Sequence, residues 1–204
     1  MISLFDVPLY SQLVVAFLSI LFYMKKRTLF LKLLMLFLVM TLIVELMGVY
    51  LSRIKKPNFW MYHFYTVFEY FTLFYLFKSV LKDKKTLKFS YILLFLLVVV
   101  WCVTFVNRDY FNYAVIIGSF NVGVLVFLYL QELLLSDEII NYKRLLPFWV
   151  SVGLIVFHLP AIPFFSFWNY MKNKDLLPIL HSLIVLMNII ISFGLIWSNK
   201  KVEY

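Results

Sequence analysis

Residues 29–51 read LFLKLLMLFLVMTLIVELMGVYL, with a single lysine near the start and a single carboxylate, Glu45, toward the end. About 20 apolar residues in a helix, rising 1.5 Å each, cross the roughly 30 Å of hydrocarbon in a bilayer. This stretch is long enough to do so and lacks the two-residue alternation of a barrel strand. Backbone amides in lipid must bond within their own segment, so the reading is a transmembrane helix.

The rest of the chain agrees. Of 204 residues, 64% are apolar and only 14% charged, a composition that would leave a soluble domain with large exposed apolar patches. The formal charge of +9 comes from short basic clusters between apolar runs, which read as topology signals and not as a nucleic-acid surface. Nucleic acid is therefore excluded as a partner, and the bilayer is the expected surrounding. Cys102 is the only cysteine and lies inside an apolar run, which rules out an intrachain disulfide or a cysteine-based metal site and fits a small packing residue. The first run has its basic cluster, Lys25-Lys26-Arg27, after it and not before it; that order predicts a retained helix and not a cleaved signal.

Seven segments reach spanning length, at about 7–24, 29–51, 59–81, 89–106, 113–135, 145–165 and 176–197. The links between them are short, so the expected fold is all-α: one domain, residues 1–204, forming a bundle of seven transmembrane helices. Placing the N-terminus outside and the C-terminus inside puts 13 of the 19 Lys and Arg residues on the inner side and 6 on the outer. The positive-inside rule favours that N-out, C-in orientation, with Arg53, Lys55 and Lys56 as the main dissent. Trp60, Trp168 and Tyr170 then mark one interface, and Trp149 and Trp197 the other. An odd count permits a 3+1+3 pseudo-repeat in which spans one to three and five to seven run the same way. LIVELMG (42–48) faintly echoes LIVFHLP (154–160).

Polar groups inside spans are costly in lipid and normally face a neighbouring helix or a wet cavity. Span two aligns Thr41, Glu45, Gly48 and Ser52 on one helical face, and span three aligns Tyr62, Thr66, Glu69 and Thr72. Span five carries Gly118, Asn121, Tyr129 and Glu132. Span six offers Ser151 and His158, and span seven His181, Asn188 and Ser192. In the N-out orientation Glu45, His158 and His181 fall roughly 8–10 Å below the outer interface, with His63 shallower and Glu69 near mid-membrane. Pro160 and Pro163 predict disrupted backbone beside His158, whereas Pro178 sits in a first turn, where proline costs little. Glu132 and Lys78 lie near span ends and read as snorkelling; Trp101 reads as a space-filler between helices.

The expected site is an outward-facing polar pocket between spans two, three, six and seven, lined by Glu45, Tyr62, His63, Thr66, Glu69, His158, His181 and Asn188. Three readings fit it. The residues could fix helix packing by bonding one another. They could bind or sense a small molecule, a lipid or a partner helix, with histidine supplying donors and acceptors. Or His63, His158 and His181 could hold a zinc ion, with Glu45 or Glu69 as general base, in an intramembrane hydrolase. The expectation taken forward is non-enzymatic: binding, sensing or membership of a membrane complex, with the hydrolase as alternative and no catalytic residue assigned. Hydrolases of the ceramidase and adiponectin-receptor type carry two histidines four apart on the last span, whereas here Val185 stands four after His181. His63 is also about 120° around its helix from the Glu69 stripe. A haem held by two histidines has no specifying motif, and span seven lacks the lysine of a retinal site.

The stretch 61–71, MYHFYTVFEYF, carries a Tyr-His-x-Tyr-Thr-x-x-Glu pattern at Tyr62, His63, Tyr65, Thr66 and Glu69. With Glu45 late in span two, Phe148-Trp149 opening span six and His181 early in span seven, the chain resembles a group of uncharacterised multipass membrane proteins of Bacteroidetes-type bacteria. That resemblance implies the inner membrane of a Gram-negative cell and carries no activity with it.

Overall fold

The computed structural model describes residues 7–106, 111–170 and 176–198. Arg108, Lys172, Lys174, Lys200 and Lys201, which entered the charge balance, lie outside the described residues. Seven long helices dominate these segments: α1 (Val7–Lys25), α2 (Leu29–Arg53), α3 (Phe59–Lys78), α4 (Lys84–Val106), α5 (Phe111–Leu134), α6 (Leu146–Ser166) and α7 (Leu177–Trp197). Six of them are long and apolar enough to cross a membrane by length and composition. The exception is α3, which matches them in length but is diluted by Tyr62, His63, Tyr65, Glu69, Tyr70 and Tyr75.

Helix ends follow local chemistry. Thr28 caps α2, its hydroxyl accepting from the Leu31 amide at 3.3 Å, which satisfies one of the free donors of a first turn. The other end of α2 closes with Lys55 at φ 54°. There the Lys56 amide donates to Leu51 O at 2.9 Å and the Lys55 amide to Ser52 O at 3.1 Å, the paired bonds of a Schellman cap. Helix α4 starts five residues before its apolar run because Asp83 caps it, accepting from the amide and hydroxyl of Thr86 at 2.9 and 3.0 Å. Those bonds, the backbone one foremost, hold the Asp83 carboxyl below its ordinary pKa. The polar link after α5 forms a 3-10 helix, Asp137–Arg144.

The prolines of α6 do not break it. Helix α6 runs from Leu146 to Ser166 through Pro160 and Pro163, and both proline rings lie on its exposed face. The sequence-based expectation of disrupted backbone beside His158 is therefore corrected: losing two amide donors on the outer face leaves the inward face regular.

Among the described residues, neighbouring helices pack in the order α1–α2–α3–α5–α6–α7, with α7 returning to α1, while α4 packs chiefly on α3 and α5. A ring of six with α4 as an outer wing results. The wing has the smallest share of its span covered by protein, 22%, and Phe95, Val99 and Val103 point outward. Exposed apolar side chains of this kind on every helix face the lipid.

The interior is segregated along its length. A contiguous apolar core is built from Leu34 and Phe37 of α2, Leu73 and Phe77 of α3, Val126 of α5, Val150 and Leu154 of α6, and Ile191 and Leu195 of α7. All of these lie toward the end where α1 stops and α2 begins. Toward the opposite end, where α3 and α7 begin, lie Ser11, Gln12, Glu45, Tyr62, His63, Tyr65, Ser119, His158 and His181, with Thr41 and Glu69 at the middle of their helices, while the buried Ser19, Ser90 and Ser151 fall at the apolar end.

Candidate functional site

Two carboxylates anchor the polar half. Glu45 projects from α2 and accepts from the Tyr62 hydroxyl of α3 at 3.4 Å. Glu69, two turns along α3 from Tyr62, is partly buried and interacts electrostatically with Glu45. Tyr65 joins them, sharing a short hydrogen bond with Thr41 of α2 and sensing both carboxylates. Among the described residues the single ion pair is Lys82–Glu138, so neither Glu45 nor Glu69 has a basic partner there. Gly48 makes the α2–α3 approach close, since a Cβ at that position would overlap the Tyr62 hydroxyl.

A hydroxyl chain begins at Tyr70, which follows Glu69 in sequence but is not hydrogen-bonded to it; the Tyr70 hydroxyl donates to Val115 O of α5 at 2.9 Å. Tyr70 also lies 3.3 Å from Ser119 Oγ, and Ser119 Oγ lies 3.3 Å from His158 Nδ1. Counting protons orders the chain. Tyr70 spends its one hydrogen on Val115 O, so Ser119 donates to the Tyr70 oxygen and His158 Nδ1–H donates to Ser119. His158 Nε2 is then a bare acceptor in a ring only 1% exposed, with no hydrogen-bond partner among the described residues. Ser151 Oγ, Asn188 Oδ1 and Gln12 Oε1 are buried and unpartnered in the same sense. These atoms are spread over α1, α6 and α7 and do not gather at one site.

The eight expected pocket residues divide among several neighbourhoods. Glu45, Tyr62 and Glu69 come together between α2 and α3. Thr66 is buried and bonds back to Tyr62 O of its own helix at 2.8 Å. His158 belongs to a separate chain with Ser119 and Tyr70 between α3, α5 and α6. Asn188 donates to Ser11 of α1 at 2.9 Å, which places it on the α1–α7 seam. His181 is half-buried in the first turns of α7. His63 turns to the α4 wing, where its ring stacks on Trp101 at 5.2 Å, and the Trp101 indole donates to His63 O at 3.1 Å. Trp101 thus does more than fill space. His63 also lines a cavity of about 380 Å³ at the start of α3, with Trp60, Phe64 and Phe105 among its walls.

Two consequences follow for chemistry. Among the described residues no three His, Cys, Asp or Glu side chains gather as a metal-holding group, and the three histidines occupy different helix neighbourhoods. Second, Tyr70 and Ser119 were missed in the sequence; only the adjacency of Tyr70 to Glu69 and of Ser119 to Gly118 hints at them. Glu132 is another residue whose role differs from its expectation. It clamps the α3–α4 link, accepting from the backbone amides of Lys82 and Asp83 at 2.8 and 3.3 Å.

Fold and composition together define a multi-pass helical membrane protein, with lipid against its apolar outer faces. No protein-family model, curated protein or solved structure matches the chain.

Proposed function

We propose that the protein is a seven-span inner-membrane binding or sensing bundle, N-terminus outside, whose polar half opens outward to receive a small molecule or lipid-like ligand, or a polar group of a membrane partner. The observation that carries this reading is the proximity of Glu45 and Glu69, two carboxyl groups from adjacent helices with no basic partner among the described residues. Buried ionisable groups of this kind are costly unless they serve a ligand, a proton or each other. Two carboxyl groups close together favour a ligand that donates hydrogen bonds, such as an ammonium or a polyol. Counting α3 as a span is supported by its length and its place between α2 and α5. The ring order supports the 3+1+3 repeat, since mapping α1–α3 onto α5–α7 preserves the six neighbour pairs of the ring, with α4 outside it as the linker. The inner-membrane location rests on the resemblance to the Bacteroidetes-type group. The hydrolase alternative draws no support from the separated histidines.

The test is mass spectrometry of molecules co-purifying with native protein extracted without chelator, run beside Glu45→Gln and Glu69→Gln, with metal measured on the same samples. The expected outcome is a donor-bearing small molecule or lipid present near one per chain and lost in both variants. An identical profile in wild type and both variants removes the reading, and zinc at one per chain would replace it with the hydrolase.

A further inference from the structure

A second cavity, of about 300 Å³, lies at the opposite end of the bundle, beneath the apolar core. It forms where α1 ends, α2 and α6 begin and α7 ends. Its walls are mostly apolar, with Phe22, Phe30, Leu145 and Leu195 among them, and two cations, Lys26 and Arg144, come to it from separate parts of the chain. Local bonds fix both positions. The Lys26 amide donates to Phe22 O at 2.9 Å and the Thr28 amide to Lys26 O at 2.8 Å, making the tight α1–α2 turn. On the other side the Trp149 indole donates to Lys143 O at 2.8 Å, tying the 3-10 helix that carries Arg144 to the first turn of α6.

Two helix N-termini and two C-termini meet here, so their dipoles largely offset one another. The net field is that of Lys26 and Arg144, both exposed and neither ion-paired among the described residues. Thr28 and Ser198 add hydroxyls to the lining. A bare anion would lose hydration against the leucine and phenylalanine walls, whereas an amphiphile meets both chemistries at once. The location supplies one, because cationic cavities at the ends of spanning helices lie level with lipid headgroups and attract anionic ones. Lys25, Arg27, Lys82, Lys84, Lys85 and Lys143 belong to the same end of the bundle and raise the local concentration of such lipids.

We propose that this cavity binds an anionic glycerophospholipid of the surrounding leaflet, its phosphate held between Lys26 and Arg144 and its glycerol and upper acyl carbons against the apolar walls. The site is separate from the Glu45–Glu69 cluster and independent of what binds there.

The test uses the full chain in mixed micelles doped with phosphatidylglycerol or phosphatidylcholine, read by native mass spectrometry. Wild type should retain one phosphatidylglycerol in preference to phosphatidylcholine, and Lys26→Gln with Arg144→Gln should weaken that preference about 30-fold. Lys84→Gln with Lys85→Gln removes the same charge at the same end but away from the cavity and should leave retention within about twofold, since it removes only long-range attraction. Ser198→Trp keeps both cations, fills the cavity and should abolish retention. The proposal is overturned by equal retention of the two lipids in wild type, by an equal loss in the Lys84/Lys85 variant, or by inorganic phosphate displacing the lipid at matched concentration.

Discussion

Tyr70 shows how one side chain ties two helices together. Its hydroxyl reaches α5 because Gly118 leaves room for the ring; a Cβ there would overlap the ring carbons directly. Gly118→Ala should therefore push Tyr70 off Val115 and Ser119 and destabilise the protein by about 1–3 kcal/mol, the usual cost of an added methyl in a packed interior. Gly123→Ala is the matched control on the same helix, since its nearest neighbour, Leu159 Cδ2, lies at 3.3 Å at the end of a flexible side chain. Thermal unfolding in detergent should show the first variant melting well below wild type and the second close to it; equal melting of both would disprove a Tyr70 anchor. Neither Gly118 nor Tyr70 announces this role in the sequence, because glycine and tyrosine are common in spans for packing and interfacial reasons alone. Glu45 and Glu69 were legible, since a carboxylate within an apolar run has few inexpensive explanations.

At the scale of elements, each helix was legible from its apolar run, and the ends were legible only where a capping residue stood in view. Thr28 before α2 is such a residue. The start of α4 was placed too late because Lys84, Lys85 and Lys88 look like a link, whereas the Asp83 cap draws them into the first turns. The end of α2 is a case where sequence and conformation disagree, since Lys55 occupies the left-handed region at φ 54° that a Schellman cap assigns to glycine. A side chain with a Cβ costs about 1–2 kcal/mol in that region, against roughly 0.4–1 kcal/mol of extra unfolded-chain entropy for glycine. Strain relief wins by a small margin, so Lys55→Gly should raise stability by about 0.5–1 kcal/mol. Lys55→Val should lower it, because a β-branched side chain tolerates positive φ least. Denaturant midpoints of the two variants provide the check, and a Lys55→Gly midpoint below wild type would show that the cap is not formed as described.

For the molecule as a whole, the count of long helices and their apolar exteriors could be read from composition and run length. Their neighbour order could not, because apolar faces of similar width do not say which helix each will meet. The histidines show the cost of that gap. Depth along the membrane put His158 and His181 at one level with His63 slightly shallower, yet angular position sends His63 to Trp101 on α4 and His158 to Ser119 on α5. The sidedness of the bundle is the remaining property on which the proposed function depends, since an outward-opening polar half requires the start of α3 to face outside. Charge supports that orientation, but Arg53, Lys55 and Lys56 at the end of α2 work against it, so the margin is carried by the basic groups at the other end. Single cysteines in a Cys102→Ser background give the answer: Asn58→Cys precedes α3, and Asn141→Cys lies in the 3-10 helix after α5. In intact cells a membrane-impermeant maleimide should label position 58 and leave position 141 unreacted until the membrane is opened. Asn58 is partly exposed and Asn141 exposed, so a thiol at either position reaches water and the contrast depends on sidedness. The reverse pattern would turn the Glu45–Glu69 half toward the cytoplasm, move the lipid cavity to the outer leaflet and replace an external ligand with an internal one.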